Sequence, residues 1–295
     1  MTMYTRRQLF PVALAPLLGL SSSIVGAPAG AADLQADIAD IEAHSGARLG
    51  VALLDTASGS LSGHRLDERF PMCSTFKALL AAAVLAKVDV GTEQLARRIP
   101  ITQSDILAYA PVTKIYVGTS GLSVAELCEA AVTVSDNTAA NLLLATLGGP
   151  AGLTRAIRTF GDAISRLDRT EPDLNEATPG DVRDTTTPAT MAQTLATLTT
   201  GHALSAASRD LLTGWMIGCQ TGGAKLRAGL PKEWRIGDKT GTGAHGSSND
   251  VAVIWPAGRA PVIVSSYLTE STASDDKRNA VHAAVGRAVA TALGA

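Results

Sequence analysis

Segments that read as strands lie at both ends of this chain and segments that read as helices fill its middle, an order that few architectures accommodate. Near the start, Leu49 to Asp55 and Leu61 to His64 are short apolar runs joined by Thr56-Ala57-Ser58-Gly59-Ser60, the composition of a hairpin. Near the end, Trp234 to Ile236, Val251 to Trp255 and Val262 to Leu268 read as strands, the last two joined across Pro256-Ala257-Gly258-Arg259. Helical patterning runs through Ala78 to Lys87, Val124 to Val134, Ala139 to Leu147 and Pro188 to Thr199. A closing helix over Asp275 to Leu293 sets Val281, Val285, Val289 and Leu293 at four-residue steps. The order predicts one sheet assembled from the two ends, a helical region inserted between them, and a cleft where the two meet. With 295 residues and 46% hydrophobic content, the chain can bury cores for both parts.

The first helical run is preceded by Ser74-Thr75-Phe76-Lys77, which on a helix puts a hydroxyl and an amine on one face. A serine is a poor nucleophile until a base takes its proton, and a lysine whose pKa is lowered by burial and a helix N-terminus can be that base. Alone, the quartet reads as a capped helix start. Two more triplets follow in order, Ser135-Asp136-Asn137 and Lys239-Thr240-Gly241. The three together are the signature set of class A β-lactamases and penicillin-binding proteins. Over essentially the whole exported chain, the sequence resembles a class A serine β-lactamase.

The resemblance implies an α/β (α+β) fold, with an antiparallel sheet built from both chain ends, flanking helices and an inserted all-α domain. The expected divisions are residues 33–67 and 220–295 for the α/β domain and 68–219 for the all-α domain. It also implies that Ser74 attacks a strained lactam carbonyl to form an acyl-enzyme, with Lys77 supporting its deprotonation. Backbone N–H groups of Ser74 and Thr242 would form the oxyanion hole. Ser135 would pass a proton to the departing ring nitrogen, and Asn137 would bond the substrate's side-chain amide and Lys77. Asp136 is expected to be structural. Lys239 and Thr240 would bind the substrate carboxylate, with Gly241 leaving room for substrate and Tyr109 lining the cleft mouth.

The segment Arg166-Leu167-Asp168-Arg169-Thr170-Glu171-Pro172-Asp173-Leu174-Asn175 separates the hydrolase from its relatives. A carboxylate and an amide four residues apart can grip one water. By resemblance, Glu171 is the general base that activates this water against the acyl-enzyme, and Asn175 helps hold it. Whether Lys77 or Glu171 is the acylation base is disputed for the class. Arg169 and Asp184 are expected to close the loop as an ion pair, and Glu171-Pro172 is a candidate cis peptide. A D-alanyl-D-alanine peptidase shares the nucleophile and the later triplets but lacks a Glu171-like base. A covalent β-lactam sensor would need a membrane segment or an output domain.

The match departs from the class at one point. Many members place an arginine shortly after Lys-Thr-Gly to assist the substrate carboxylate, where this chain has Ser248. Lys225 or Arg278 is left as the replacement charge. Thr242 and Cys73 resemble members of broad spectrum, but a single hydroxyl shifts selectivity by only about 1–3 kcal/mol.

Other readings are excluded or bounded. Gly241-Thr242-Gly243-Ala244-His245-Gly246 satisfies the dinucleotide string, but a strand follows where a helix is needed, so nucleotide binding is rejected. Cys73, Cys128 and Cys219 form no CxxC, and the five histidines form no HxH or HExxH, so no metal is expected and no cofactor either. No disulfide is expected, with Cys73 to Cys219 the one pairing kept open. Thr5-Arg6-Arg7-Gln8-Leu9-Phe10 is a twin-arginine pattern, followed by an uncharged stretch to about Ala32, which predicts an export signal over residues 1–32 and a periplasmic or secreted product. Pro11 and Pro16 interrupt its apolar part, which argues against a stable membrane anchor. Losing Arg6 and Arg7 with the leader deepens the net charge from −2 to about −4, the wrong sign for a nucleic-acid partner. A monomer is expected, since no segment marks an association surface.

Overall fold

The computed structural model describes Met1 and residues 29–295. The twin-arginine segment and its apolar stretch lie outside the described residues. The first helix, α1 (Ala29–Ser45), leads into the hairpin β1 (Arg48–Asp55) and β2 (Leu61–His64). A two-residue strand, β3 (Phe70–Pro71), precedes α2 (Phe76–Asp89). A second short pair, β4 (Arg98–Ile99) and β5 (Leu122–Ser123), comes before α3 (Val124–Thr133), α4 (Asn137–Leu147) and α5 (Gly149–Thr159). Then follow β6 (Thr185–Thr186), α6 (Pro188–Thr199), α7 (Ala206–Ile217) and the single turn α8 (Leu226–Gly229). The chain ends with β7 (Arg235–Thr242), β8 (Ser248–Trp255), β9 (Val262–Thr269) and α9 (Asp275–Ala292).

The main sheet runs in the order β2-β1-β9-β8-β7, and every neighbouring pair is antiparallel. Strands from the two chain ends meet at the β1–β9 ladder, where Val51 opposes Ser266. Because side chains alternate across a strand, the sheet sorts its apolar residues into two cores. Leu49, Val51 and Leu53 share one face with Ala252, Ile254, Val262 and Val264, covered by Leu34 and Ile38 of α1 and Val285 and Val289 of α9. Ala52, Leu54, Val251, Val253, Ile263 and Tyr267 face the helical layer. The strand and helix periods read from the sequence are therefore both satisfied.

At the centre of the helical layer lies α2, in which every residue from Phe76 to Leu85 is buried. A helix that is apolar all round has no solvent face, so Lys77 enters the core with its neighbours. Four helices escaped the sequence reading: α1, α5, α7 and the single turn α8. For α5 the reason is local. Gly148-Gly149-Pro150 reads as a break; Gly148, at φ 84°, does end α4, but proline is tolerated in the first turn and the helix restarts at once.

Among the described residues, no helix is long and apolar enough to cross a membrane. Cys73, Cys128 and Cys219 are free thiols.

Candidate active site

Ser74 sits in a turn of 3-10 helix, Cys73–Thr75, immediately before α2. In such a turn residues i and i+3 eclipse, so Ser74 and Lys77 still share a face although the α-helix proper begins at Phe76. Cys73 holds φ at 45°, a left-handed conformation that costs energy for a residue with a side chain. The turn is clamped against the sheet: Asn249 Nδ2 donates to Pro71 O and Met72 O, at 2.9 and 3.0 Å. Gly241 contributes to the same clamp. A side chain there would meet Met72 O at 2.9 Å and Cys73 Cβ at 3.2 Å. The missing side chain at Gly241 thus leaves room for the nucleophile's own turn, while Gly241 itself lines the cleft.

Ser74 and Lys77 are joined through a third residue. Ser74 Oγ donates to Glu171 Oε1 at 3.3 Å, and Lys77 Nζ lies 2.9 Å from the same oxygen. Lys77 Nζ also donates to Asn137 Oδ1 at 2.6 Å, Ser135 O at 2.8 Å and Ser135 Oγ at 3.3 Å. Complete burial pushes the Lys77 pKa down, and the Glu171 carboxylate opposes that shift. A lysine in this balance can release and recover a proton without leaving its oxygen cage.

Ser135 is itself held at φ 61°, between α3 and α4, and its carbonyl is fixed by the Lys77 ammonium. Asp136 explains how that turn persists. Its carboxylate caps α4 through Ala139 N at 2.9 Å and accepts from Val112 N and Thr113 N at 3.0 and 2.9 Å. Those bonds tie the segment around Tyr109 to the Ser135 turn, and Asn137 N donates to Tyr109 O at 3.0 Å. The Tyr109 side chain is 51% exposed at the cleft edge.

Glu171 is carried by a loop that Asp184 closes. Asp184 Oδ1 accepts from Asp168 N and Arg169 N at 2.7 and 3.0 Å, and Arg169 Nε donates to Asp184 Oδ2 at 2.6 Å. Arg169 also pairs with Glu176. The Glu171-Pro172 peptide is cis. Asn175 Nδ2 donates to Glu171 Oε2 at 2.5 Å. Asn141 brackets the Glu171 backbone, donating to its carbonyl at 2.9 Å and accepting from its N–H at 3.0 Å. Sequence reading missed Asn141; its place four residues after Asn137, on the same face of α4, is the signal that could have found it.

On the opposite wall, Lys239 of β7 is fully buried and donates to Ser135 Oγ at 3.1 Å and Thr240 O at 2.8 Å. Burial, reinforced by repulsion from Lys77, pulls its pKa down to about 7. Thr240 Oγ1 lies 2.5 Å from Thr221 Oγ1, a residue that no sequence pattern marked. Lys225, only 5% exposed, donates to Ser248 Oγ at 2.8 Å and Asn249 O at 3.1 Å. Arg278 is tied instead to Ala273 O and Asp275 and lines a groove between α1 and α9. Of the two replacement charges, Lys225 is the one the fold brings to the cleft. The cleft itself, about 340 Å³, is lined by Ser74, Tyr109, Ser135, Asn137 and Asn175 on one side. Thr221, Lys225, Thr240, Gly241 and Thr242 line the other. No group of three or more metal-ligating side chains occurs among the described residues.

The model of the beta-lactamase enzyme family matches residues 33–293. The chain belongs to the class A β-lactamase family. Relatives include Beta-lactamase AST-1 of Nocardia asteroides, 50% identical over 87% of this chain and 82% of its own length. Beta-lactamase OXY-1 of Klebsiella oxytoca is 45% identical over 98% of both chains. Among solved structures, an ancestral (GNCA) class A β-lactamase is 62% identical and superposes with a TM-score of 0.87, covering 88% of this chain and 99% of that one. Membership in the class A β-lactamase family agrees with the fold class expected from the sequence, a sheet drawn from both chain ends beside a helical layer.

Proposed function

We propose that this family member hydrolyses the amide bond of β-lactam antibiotics through an acyl-enzyme on Ser74, and thereby confers resistance to them. Family membership supports the activity; the arrangement of Ser74, Lys77 and Glu171 supports the roles. The observation that carries the reading is the shared oxygen Glu171 Oε1, within hydrogen-bond reach of both Ser74 Oγ and Lys77 Nζ. A penicillin-binding protein has no need of a carboxylate there, since it is not required to release its acyl group. In acylation, the proton of Ser74 passes into the Lys77–Glu171 pair as Oγ attacks the lactam carbonyl. The N–H groups of Ser74 and Thr242 receive the developing oxyanion. Ser135, between Lys77 and Lys239, delivers a proton to the ring nitrogen as the carbon–nitrogen bond breaks.

Deacylation then needs water on the Glu171 side. Asn175 Oδ1 is buried and meets no protein donor among the described residues, so a water donating to it stays beside Glu171. Glu171 takes a proton from that water as it attacks the ester, and Ser74 Oγ is regenerated. Asn137 orients the substrate's side-chain amide, and Tyr109 and Thr242 contact the bound drug at the cleft edge. Lys239, Thr240 and Lys225 receive its carboxylate. These steps draw on side chains, backbone N–H groups and water, with no role for a cofactor.

The test pairs hydrolysis of a chromogenic cephalosporin with mass spectrometry of the wild type and Glu171→Ala. Turnover by the wild type and an acylated Ser74 peptide in the variant are expected. A wild type that stops after one equivalent would mark a penicillin-binding or sensor protein.

Residues 1–32, on the twin-arginine pattern, are proposed as an export leader, giving a monomeric periplasmic or secreted enzyme. Replacing Arg6 and Arg7 by lysine should leave the precursor uncleaved in the cytoplasm; N-terminal sequencing and light scattering of the exported form check both statements.

A further inference from the structure

Lys225 is held at the cleft by atoms that belong to the far side of the sheet. Its ammonium donates to Ser248 Oγ, the first residue of β8. Behind that hydroxyl lies His282 of α9, completely buried, with Nε2 at 3.2 Å from Ser248 Oγ and 3.0 Å from Ser248 O. On its other side His282 Nδ1 lies 2.8 Å from Ser266 Oγ of β9. A line of contacts therefore runs from the closing helix through the sheet to the cleft. It passes through the position where the sequence departs from the class pattern.

A carbonyl oxygen can only accept, and Ser248 O is the nearer of the two oxygens to His282 Nε2. The ring therefore carries its proton on Nε2 and donates to Ser248, while Nδ1 accepts from the Ser266 hydroxyl. A neutral imidazole is required in that arrangement, since a second cation beside Lys225 would repel it. Burial, with Lys225 adding to it, keeps the His282 pKa well below the usual histidine range. Resting on the reading of Lys225 as a carboxylate-binding cation, we propose that His282 is a positioning residue. It pins Ser248 at the start of β8 so that the hydroxyl faces Lys225, and so fixes the ammonium toward the substrate carboxylate. The Ser248-His282 pair then does indirectly what a single long side chain from β8 would otherwise do.

The experiment compares a chromogenic cephalosporin with its carboxylate methyl ester, using wild type, Lys225→Ala, Ser248→Ala, His282→Leu and His282→Gln. In the wild type kcat/KM for the acid exceeds that for the ester. Ser248→Ala and His282→Leu should each cut the acid's kcat/KM by about ten-fold, roughly 1.4 kcal/mol, through KM, while the ester is unchanged. His282→Gln, which keeps an N–H donor, should recover part of the loss. Adding His282→Leu to Lys225→Ala should cost nothing further. If His282→Leu lowers acid and ester alike, or leaves their ratio at the wild-type value, the positioning role is wrong. Should His282→Leu fail to fold, the acid-to-ester ratio of Ser248→Ala decides the same question. If Lys225→Ala itself leaves the ratio intact, the reading of Lys225 falls; if only the Ser248 and His282 variants do so, the positioning role alone falls. Nitrogen chemical shifts of His282 showing the proton on Nδ1 would also overturn the proposed chain.

Discussion

The two walls of the cleft handle positive charge in opposite ways. On the helical wall, Lys77 meets a carboxylate of its own chain, Glu171, at 2.9 Å. On the β7 wall, the oxygens around Lys239 and Lys225 are hydroxyls and carbonyls, and among the described residues no carboxylate lies within ion-pairing distance of either. The first wall is internally neutralised, which suits proton traffic between fixed partners. The second has no carboxylate in direct contact, only Asp238 and Asp250 at longer range, so the protonated lysines can take an anion as their partner. Three buried lysines in one cleft thus acquire different tasks from their neighbours rather than from their own chemistry.

The sharpest way to break this contrast is Glu171→Gln, which leaves the helical wall as uncompensated as the other. Steady-state hydrolysis should fall by roughly 10²–10⁴-fold, the usual scale for losing a general base, while initial binding of carboxylate substrates persists. Next in size is Lys239→Ala. Removing a buried cation from a charge-assisted contact should cost about 2–5 kcal/mol in kcat/KM, measured with a cephalosporin acid, and much less with its ester. The same wall should respond to pH. Lys239 binds carboxylate in its protonated form, so KM for acid substrates should rise as pH climbs through about 7. Stability should move the other way. The unfolded lysine keeps its proton up to about 10.5, so between about 7 and that value the unfolded chain binds more protons and folding gains with rising pH. A flat KM between pH 6 and 9 would remove the uncompensated charge from the description.

Asp184→Asn tests whether the helical wall depends on its loop. Breaking the pair with Arg169 should lower stability by about 2–3 kcal/mol, below the full range for a buried pair because Arg169 keeps Glu176. Urea unfolding measures this, and deacylation should slow while carboxylate affinity holds. The smallest expected effect is that of Tyr109→Ala. A half-exposed ring at the edge of both walls should change KM by a factor of about two to three, near the ordinary limit for surface substitutions. A larger loss would make Tyr109 part of one wall rather than a rim between them.

Much of this was legible in the letters. The apolar run after Lys77 predicted a helix, and the apolar runs in β8 and β9 predicted strands. Arg169 and Asp184 were paired correctly as the ends of a loop. Asn141 was not found, although its spacing from Asn137 was available, because an asparagine on a helix carries no chemical mark until its partner is known. Thr221 had no signal at all, since its significance comes from a hydroxyl contact with Thr240.

What the sequence determined by itself was the five strands of the main sheet, five of the helices and the reactive residues gathered in four short strings. Those properties depend on neighbours two to four positions away, which periodicity records. Only the tertiary structure decided that Lys225 rather than Arg278 reaches the cleft, and that the gap at Gly241 is filled by the turn of Cys73. It alone showed Ser74 and Lys77 meeting through Glu171. Each of these joins residues far apart in the chain, and which side chains meet there is set by how sheet and helices pack, which no local pattern encodes.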